Sequence, residues 1–416
     1  MNRRHLIQAL SLPLITQPLI GCTFMDNKKS ISQYGKVFEY LKDPDLRVKE
    51  MGEQLMEVKG ALVSGVQFKG IEWKEIRFID CDFTGSYELK LAALKNCSFE
   101  GCRFAGLFGF GLAKDVYFNK CVVRGNGEYG LHTDTGSTNV VFENGDFRSF
   151  DANNNNWGFL LMRGEAKYIN CYAKWFSLRG HERLDIDRCR LQDCEVAGAD
   201  QKNHPPVTII DTELLGTTDM VSSHMSSLTM RNCTVGELDL SQARVSGDVL
   251  IEKVEAEQLN LGFYTAGKVT LRNCKVRAPD YVKSSLNTAV DSVDQFIAEN
   301  CTFQGKPASI GPGVALRDDQ WSVIPQNRLT RFTNCAMEVL GSAWTESQDL
   351  RIEQCTISSA DFSNSRIGHL QIQGSTISQK LDLRNTRIQT HSIKDLEPSK
   401  YRQVLLDGSS IKQLSI

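Results

Sequence analysis

The chain has 416 residues, 41% of them hydrophobic and 24% charged, and its 48 basic and 50 acidic side chains leave a net charge of −2. That length can bury a large core, either as one repeat array or as two domains. The balanced charge excludes the concentrated Lys and Arg of a nucleic-acid-binding face, so no nucleic acid is expected as a partner.

The first predicted element is a leader. Arg3 and Arg4 give a positive start, and the apolar run Leu6 to Ile20 is too short to span a bilayer and is broken by Pro13 and Pro18. It ends Leu19-Ile20-Gly21-Cys22, with a small residue before a thiol. This resembles the lipobox of bacterial lipoproteins. The resemblance implies that residues 1–21 are a signal peptide and that Cys22 becomes the lipidated first residue of the mature chain. It places the protein in the cell envelope, and Thr23 in place of Asp favours the outer membrane, facing the periplasm. Losing Arg3 and Arg4 with no acids moves the mature charge to −4. No later apolar run is long enough to span, so the membrane is expected to be met through the N-terminal lipid alone.

Residues 22–69 are expected to form a lipidated linker and a helical cap. Tyr34, Val37, Phe38, Tyr40 and Leu41 cluster ahead of Asp43-Pro44, and Leu46, Val48, Met51, Leu55 and Val58 come next at near-helical spacing. Two short helices would close the open N-terminal end of the repeat array beyond them, where an uncovered coil would template aggregation.

From residue 70 to 416 a short unit recurs: apolar-x-apolar, a polar residue (commonly Asn), Cys or another small residue, then x-apolar. Examples are Phe78-Ile79-Asp80-Cys81-Asp82-Phe83 and Leu94-Lys95-Asn96-Cys97-Ser98-Phe99. The unit returns at Cys121, Cys171, Cys189, Cys233, Cys274, Cys301, Cys335 and Cys355, with small residues such as Gly145, Thr212, Val254 and Ser375 replacing Cys elsewhere. From Thr212 through Cys233, Val254 and Cys274 the steps are 21, 21 and 20; from Cys335 through Cys355 to Ser375 they are 20 and 20. Alternation lasts only about five positions per unit, which suits a short strand and leaves no room for helices. Short strands at a fixed period predict a stacked solenoid.

The solenoid gives the 13 cysteines a structural meaning. Ten of the twelve beyond Cys22 are read into one repeat position, including Cys97, as an inward ladder of small, mostly reduced thiols. Stacked coils lie about 4.8 Å apart, within reach of a disulfide, so occasional bridges stay open. Paired Cys-x-x-Cys knuckles are absent from the sequence, and neither a metal nor a cofactor is expected.

Cys97-Ser98-Phe99-Glu100-Gly101 followed by Cys102-Arg103-Phe104-Ala105-Gly106 resembles tandem pentapeptide repeats. So do Cys189 to Gly198, Leu238 to Val245 and Ala360 to Ile367. Four pentapeptides make a coil of twenty residues in that family. The stretch Val116 to Arg163 is more similar to the irregular coils of pectate-lyase-type proteins. Both resemblances imply an all-β solenoid, a right-handed parallel β-helix, here with a short N-terminal helical cap.

Insertions are expected near 125–157, 276–295 and 304–327. Loops of this kind carry binding surfaces in repeat proteins, which makes Trp157, Trp175 and Trp321 the candidate binding residues. Two functions are compatible with these features. The preferred one is a non-catalytic lipoprotein that binds a protein partner. Repeat-built lipoproteins include immunity proteins that neutralise secreted antibacterial effectors such as phospholipases, so a toxic effector is the specific partner expected. The alternative is a polysaccharide-binding or polysaccharide-degrading β-helix, a lyase or hydrolase. Its catalytic residues would come from Asp134, Asp146, Asp151 and Arg163, with His132 and Arg148, because such chemistry needs carboxylates and a cation converging on one groove.

Overall fold

The computed structural model describes residues 28–63, 68–84, 89–125, 130–149, 158–196, 204–261, 263, 266–277, 286–287, 293–304, 328–341, 346–395 and 403–411. Cys22 and the leader, Asp151, Trp157, Trp321 and most of the expected insertions at 276–295 and 304–327 lie outside these residues. Residues 130–149 of the expected first insertion are instead strands of the array, because they pair with the coils on either side. The strands stack in parallel, each pairing with its equivalent in the coils before and after. Arg103–Ala105, for instance, aligns with Asp82–Thr84 on one side and with Val122–Arg124 on the other. The chain is a parallel β-helix of about 13 coils with short helices near its N-terminus.

One corner of the coil explains the recurring Asn. The residue ahead of the small position has a left-handed backbone in coil after coil, with φ of 52° at Asp80, 54° at Asn144, 50° at Asn170 and 54° at Asn334. Asn and Asp adopt this conformation more readily than other side-chain-bearing residues. Their amides also stack outside the corner, where Asn170 Nδ2 donates to Asn144 Oδ1 at 2.6 Å and Asn334 Nδ2 to Asn300 Oδ1 at 2.7 Å.

The small residue that comes after it points inward. Register places Cys81, Cys102, Cys121, Gly145, Cys171 and Cys189 in one column, which continues through Thr212 and the later cysteines to Ser375. Ten cysteines occupy it, but Cys102 is a member and Cys97 is not. Cys97 aligns with Val116 and lies one corner earlier. It too is preceded by a left-handed Asn, Asn96 with φ of 51°, so its local sequence imitates the ladder position. The twelve described cysteines are all free and buried. Burial, helped by the nearby carboxylates of Glu75 and Asp193, pushes the thiols of Cys97 and Cys194 up to about 12.

Most of the thiols and hydroxyls of the ladder serve the coil before them. Cys171 Sγ donates to Phe142 O at 3.4 Å and accepts from Gly145 N at 3.4 Å. Cys355 Sγ donates to Phe332 O and accepts from Cys335 N, both at 3.5 Å. Hydroxyls substitute directly: Thr212 Oγ1 accepts from Cys189 N at 3.2 Å and Ser375 Oγ from Cys355 N at 3.0 Å. The position therefore favours small side chains, and where these are Cys, Thr or Ser they also satisfy corner backbone atoms buried away from water.

The interior of the early coils is a column of rings. Phe78, Phe99, Phe118, Phe142 and Tyr168 stack at 5.0, 4.7, 4.6 and 5.2 Å with planes within 9° of parallel. Coil spacing sets that separation, which lies in the favourable range for offset rings. Phe118 and Phe142 continue this column inside Val116 to Arg163, so the described part of that stretch shares the common stack while remaining irregular in register. Gly130–Glu143 pairs with Gly158–Ile169 on one side and Leu112–Asn119 on the other, with local register shifts. The stack ends at Tyr168, whose hydroxyl lies 3.2 Å from His181 Nε2.

At the N-terminal end a 3-10 turn, Ile31–Tyr34, precedes α1 (Lys36–Lys42) and α2 (Pro44–Met51). Asp43 caps α2, accepting from Leu46 N at 2.9 Å, and Pro44 starts it. The helix stops at Gly52 (φ 69°), short of Leu55 and Val58 in the near-helical run. Met56–Lys59 is instead a strand paired with Ile76–Ile79, so the β-helix begins there rather than at residue 70. The near-helical spacing of Leu46 to Val58 thus splits into a helix and an alternating strand. Buried Arg47 donates to Glu75 O at 3.1 Å and Trp73 Nε1 to Leu41 O at 3.0 Å, fixing the cap to the first coils.

Candidate functional site

The residues expected for catalysis are divided between faces. His132 and Asp134 lie on Gly130–Glu143 and Arg163 on the paired strand Gly158–Ile169. His132 lies over Gly109 of the preceding coil, where a Cβ would approach its Nε2 to 2.5 Å. Burial pulls the imidazole below its ordinary pKa; Asp134 opposes this while Arg163 and Lys90 add to it. His132, Asp134 and Arg163 therefore share one electrostatic neighbourhood. Asp146 and Arg148 do not join it, because the left-handed corner at Asn144 turns the chain onto the next face. There Asp146 is held by Arg124 at 3.0 Å and Arg148 at 2.8 Å. Asp151 lies outside the described residues, so Asp134 is the only described carboxylate of the expected set beside His132. Among the described residues no group of three His, Cys, Asp or Glu could hold a metal ion.

The face holding Asp146 carries a second arrangement. Val122–Gly125, Asp146–Ser149 and Tyr172–Lys174 pair in register, and each turns its middle residue into the core and its flanking residues outward. Arg124, Arg148 and Lys174 form one outward column, with Asp146 and Tyr172 beside it. The Arg148 guanidinium lies 5.1 Å from the Tyr172 ring centre, and Lys174 Nζ lies 4.0 Å from that of Trp175. Tyr172 donates to Gln192 Oε1 at 3.3 Å, fixing the ring toward the next coil. The only described residue of the three tryptophans expected to bind, Trp175, closes this strip.

Trp175 has φ of 51°, whereas the next two coils place Asp193 (49°) and Gly216 (65°) at this corner. A bulky side chain in the left-handed region is a strained choice, costing about 1–3 kcal/mol. Sequence reading singled out Trp175 but missed its neighbours. The signal available was a basic residue three places after the ladder position in three successive coils: Cys121 to Arg124, Gly145 to Arg148 and Cys171 to Lys174.

A shallow groove of about 600 Å³ lies farther along, lined in part by Thr217, Gly236, Glu237, Glu255 and Lys275. Its charges are largely satisfied locally: Lys275 pairs with Glu255 at 2.9 Å, and Thr217 donates to Glu237 at 3.2 Å.

The sequence matches no known family and is similar to no curated protein. Among solved structures it is similar to QnrB1, a plasmid-mediated fluoroquinolone resistance protein, at 15% identity and a TM-score of 0.13, over 64% of this chain and 88% of that one. A likeness that slight carries no argument, so the fold rests on this chain's own strand register. By that register and its coil lengths, the chain is a pentapeptide-repeat-like parallel β-helix.

Proposed function

We propose that the chain is a membrane-anchored, non-catalytic β-helix that binds a protein through the face bearing Arg148, Tyr172, Lys174 and Trp175. The composition and rigidity of that face support the reading. Arg, Tyr and Trp are the types that dominate binding hot spots. Here they are held at coil spacing on a sheet by contacts already made, so binding costs little ordering entropy. In this reading Cys22 carries the lipid, and the partner is a secreted antibacterial effector such as a phospholipase. The test mixes the purified, lipid-free chain with the effector encoded beside its gene. A tight complex that weakens on Trp175→Ala supports the reading. A gene neighbourhood without effector or secretion genes sinks the effector assignment. Palmitate labelling that persists in Cys22→Ser removes the anchor.

The second reading, binding or cleavage of polysaccharide, is favoured by the His132, Asp134 and Arg163 neighbourhood. It requires turnover on uronate-containing glycans that Asp134→Ala abolishes. Absence of turnover by the intact protein on a broad glycan panel overturns its catalytic form.

A further inference from the structure

We infer that the partner's contact surface is acidic, an inference that rests on the protein-binding reading above. Across the five successive coils from Arg103 to Gln192, ten side chains point outward on this face. Five of the ten are Arg or Lys and one, Asp146, is acidic, on a chain whose overall charge is −2. At the margins Arg103 and Arg190 are paired with Asp82 and Glu213 of the flanking coils, at 3.8 and 3.5 Å. Among the described residues the centre keeps its excess: Arg124 and Arg148 share the single carboxylate of Asp146, and Lys174 lies beside them in the same column over Trp175. Elsewhere the protein arranges the same residue types differently. Arg231, Glu252, Arg272 and Glu299 alternate in sign from coil to coil, pairing at 3.1, 3.6 and 3.1 Å. Alternation neutralises a column; the strip does not alternate.

The aromatic groups point the same way. Tyr172 and Trp175 lie under Arg148 and Lys174 and hold these cations against ring faces, where they remain able to meet carboxylates. Trp175 occupies a corner that Asp or Gly fills in the next coils, so its side chain is retained against a backbone preference. Trp175 is the one aromatic residue among the left-handed corners of the described residues, where the others are mostly Asn, Asp, Gly or long polar side chains, and it lies half-buried beside Lys174. A surface rich in Asp and Glu complements both features. Its association would be steered by charge and weakened by salt.

The experiment uses a fluorescein-labelled oligoglutamate peptide as probe, with oligolysine and oligogalacturonate as parallel arms, read by anisotropy at low and at physiological salt. Oligoglutamate should bind, and Arg148→Glu combined with Lys174→Glu should weaken it about tenfold or more. Lys268→Glu, on a separate face, should leave it unchanged. Trp175→Asn should weaken binding while raising the urea midpoint, an opposite pair of effects that a merely structural residue would not give. Equal binding of oligolysine, insensitivity to the double reversal, or preference for oligogalacturonate would each overturn the inference. If a cognate effector binds and loses affinity on Trp175→Ala but not on the charge reversals, the acidic inference falls and the protein-binding reading stands. If no effector binds while the oligoglutamate results hold, the effector assignment falls and the acidic preference of the face stands.

Discussion

The buried pair at the end of the ring stack makes a quantitative prediction about acid. His181 is 0% exposed, touches the Tyr168 hydroxyl through Nε2 at 3.2 Å, and has no partner for Nδ1. Burial lowers its pKa from 6.5 to about 3, so the folded protein keeps a neutral imidazole that the unfolded chain protonates below pH 6.5. Stability is therefore undiminished above pH 6.5 and falls as pH drops toward 3, at up to about 1.4 kcal/mol per unit. Between pH 6 and 4 the loss from this one group is about 2.5 kcal/mol. The comparison protein is Tyr168→Phe/His181→Leu, which extends the Phe column and removes both polar partners together, a change that can be nearly neutral at pH 7. Urea unfolding followed by far-ultraviolet circular dichroism should show the native protein losing about 2.5 kcal/mol more than the double variant over that interval. Carboxylates contribute equally to both proteins and cancel. Parallel pH profiles for the two would refute the reasoning.

The thiol ladder predicts that Cys22→Ser protein shows no reaction with Ellman's reagent when native and all twelve remaining thiols in guanidinium; a lower denatured count would reveal bridges. Phe118→Ala opens the ring column between Phe99 and Phe142 and should cost about 3–5 kcal/mol in urea unfolding, against less than half of that for Phe118→Leu. Cys355→Val strands the Cys335 amide and should destabilise by about 1 kcal/mol or more, whereas Cys355→Ser, which retains a donor and an acceptor, should be milder. At the Asn334 corner, Ala should cost about 1 kcal/mol or more in the same assay while Gly costs less, because Gly keeps the left-handed backbone and loses only the exposed amide bond to Asn300.

The coil was legible because its chemistry is local. A left-handed Asn followed by a thiol is dictated within one corner, and the repeat of that corner reveals the period. The same locality misled at Cys97. Early coils have two left-handed corners each, as at Glu75 with Asp80 and Asn139 with Asn144, and Asn96-Cys97 belongs to the first of its coil while Gly101-Cys102 forms the second. Only pairing with the neighbouring coil distinguishes them. Asp134 and Asp146 illustrate the same limit, since their closeness in sequence conceals the intervening corner. The cationic strip was hidden for the opposite reason. Arg124, Arg148 and Lys174 are far apart in sequence and become neighbours only when coils of unequal length are brought into register.

The thiol ladder also has a direction. Beyond a local contact two residues back in its own coil, Cys171 bonds through Sγ to the coil that precedes it, as donor to Phe142 O and acceptor from Gly145 N. Cys355 does the same with Phe332 O and Cys335 N. A coil's corner is thus completed by the side chain of its successor, while it supplies the same bonds to its own predecessor. A chain emerging N-terminus first can lay down the helical cap and then finish each turn as the next arrives, leaving one corner open at a time. Such an array is built vectorially, like masonry rising from a sealed base, and shortening it from the C-terminal end should leave unfinished only the corner of the last remaining course.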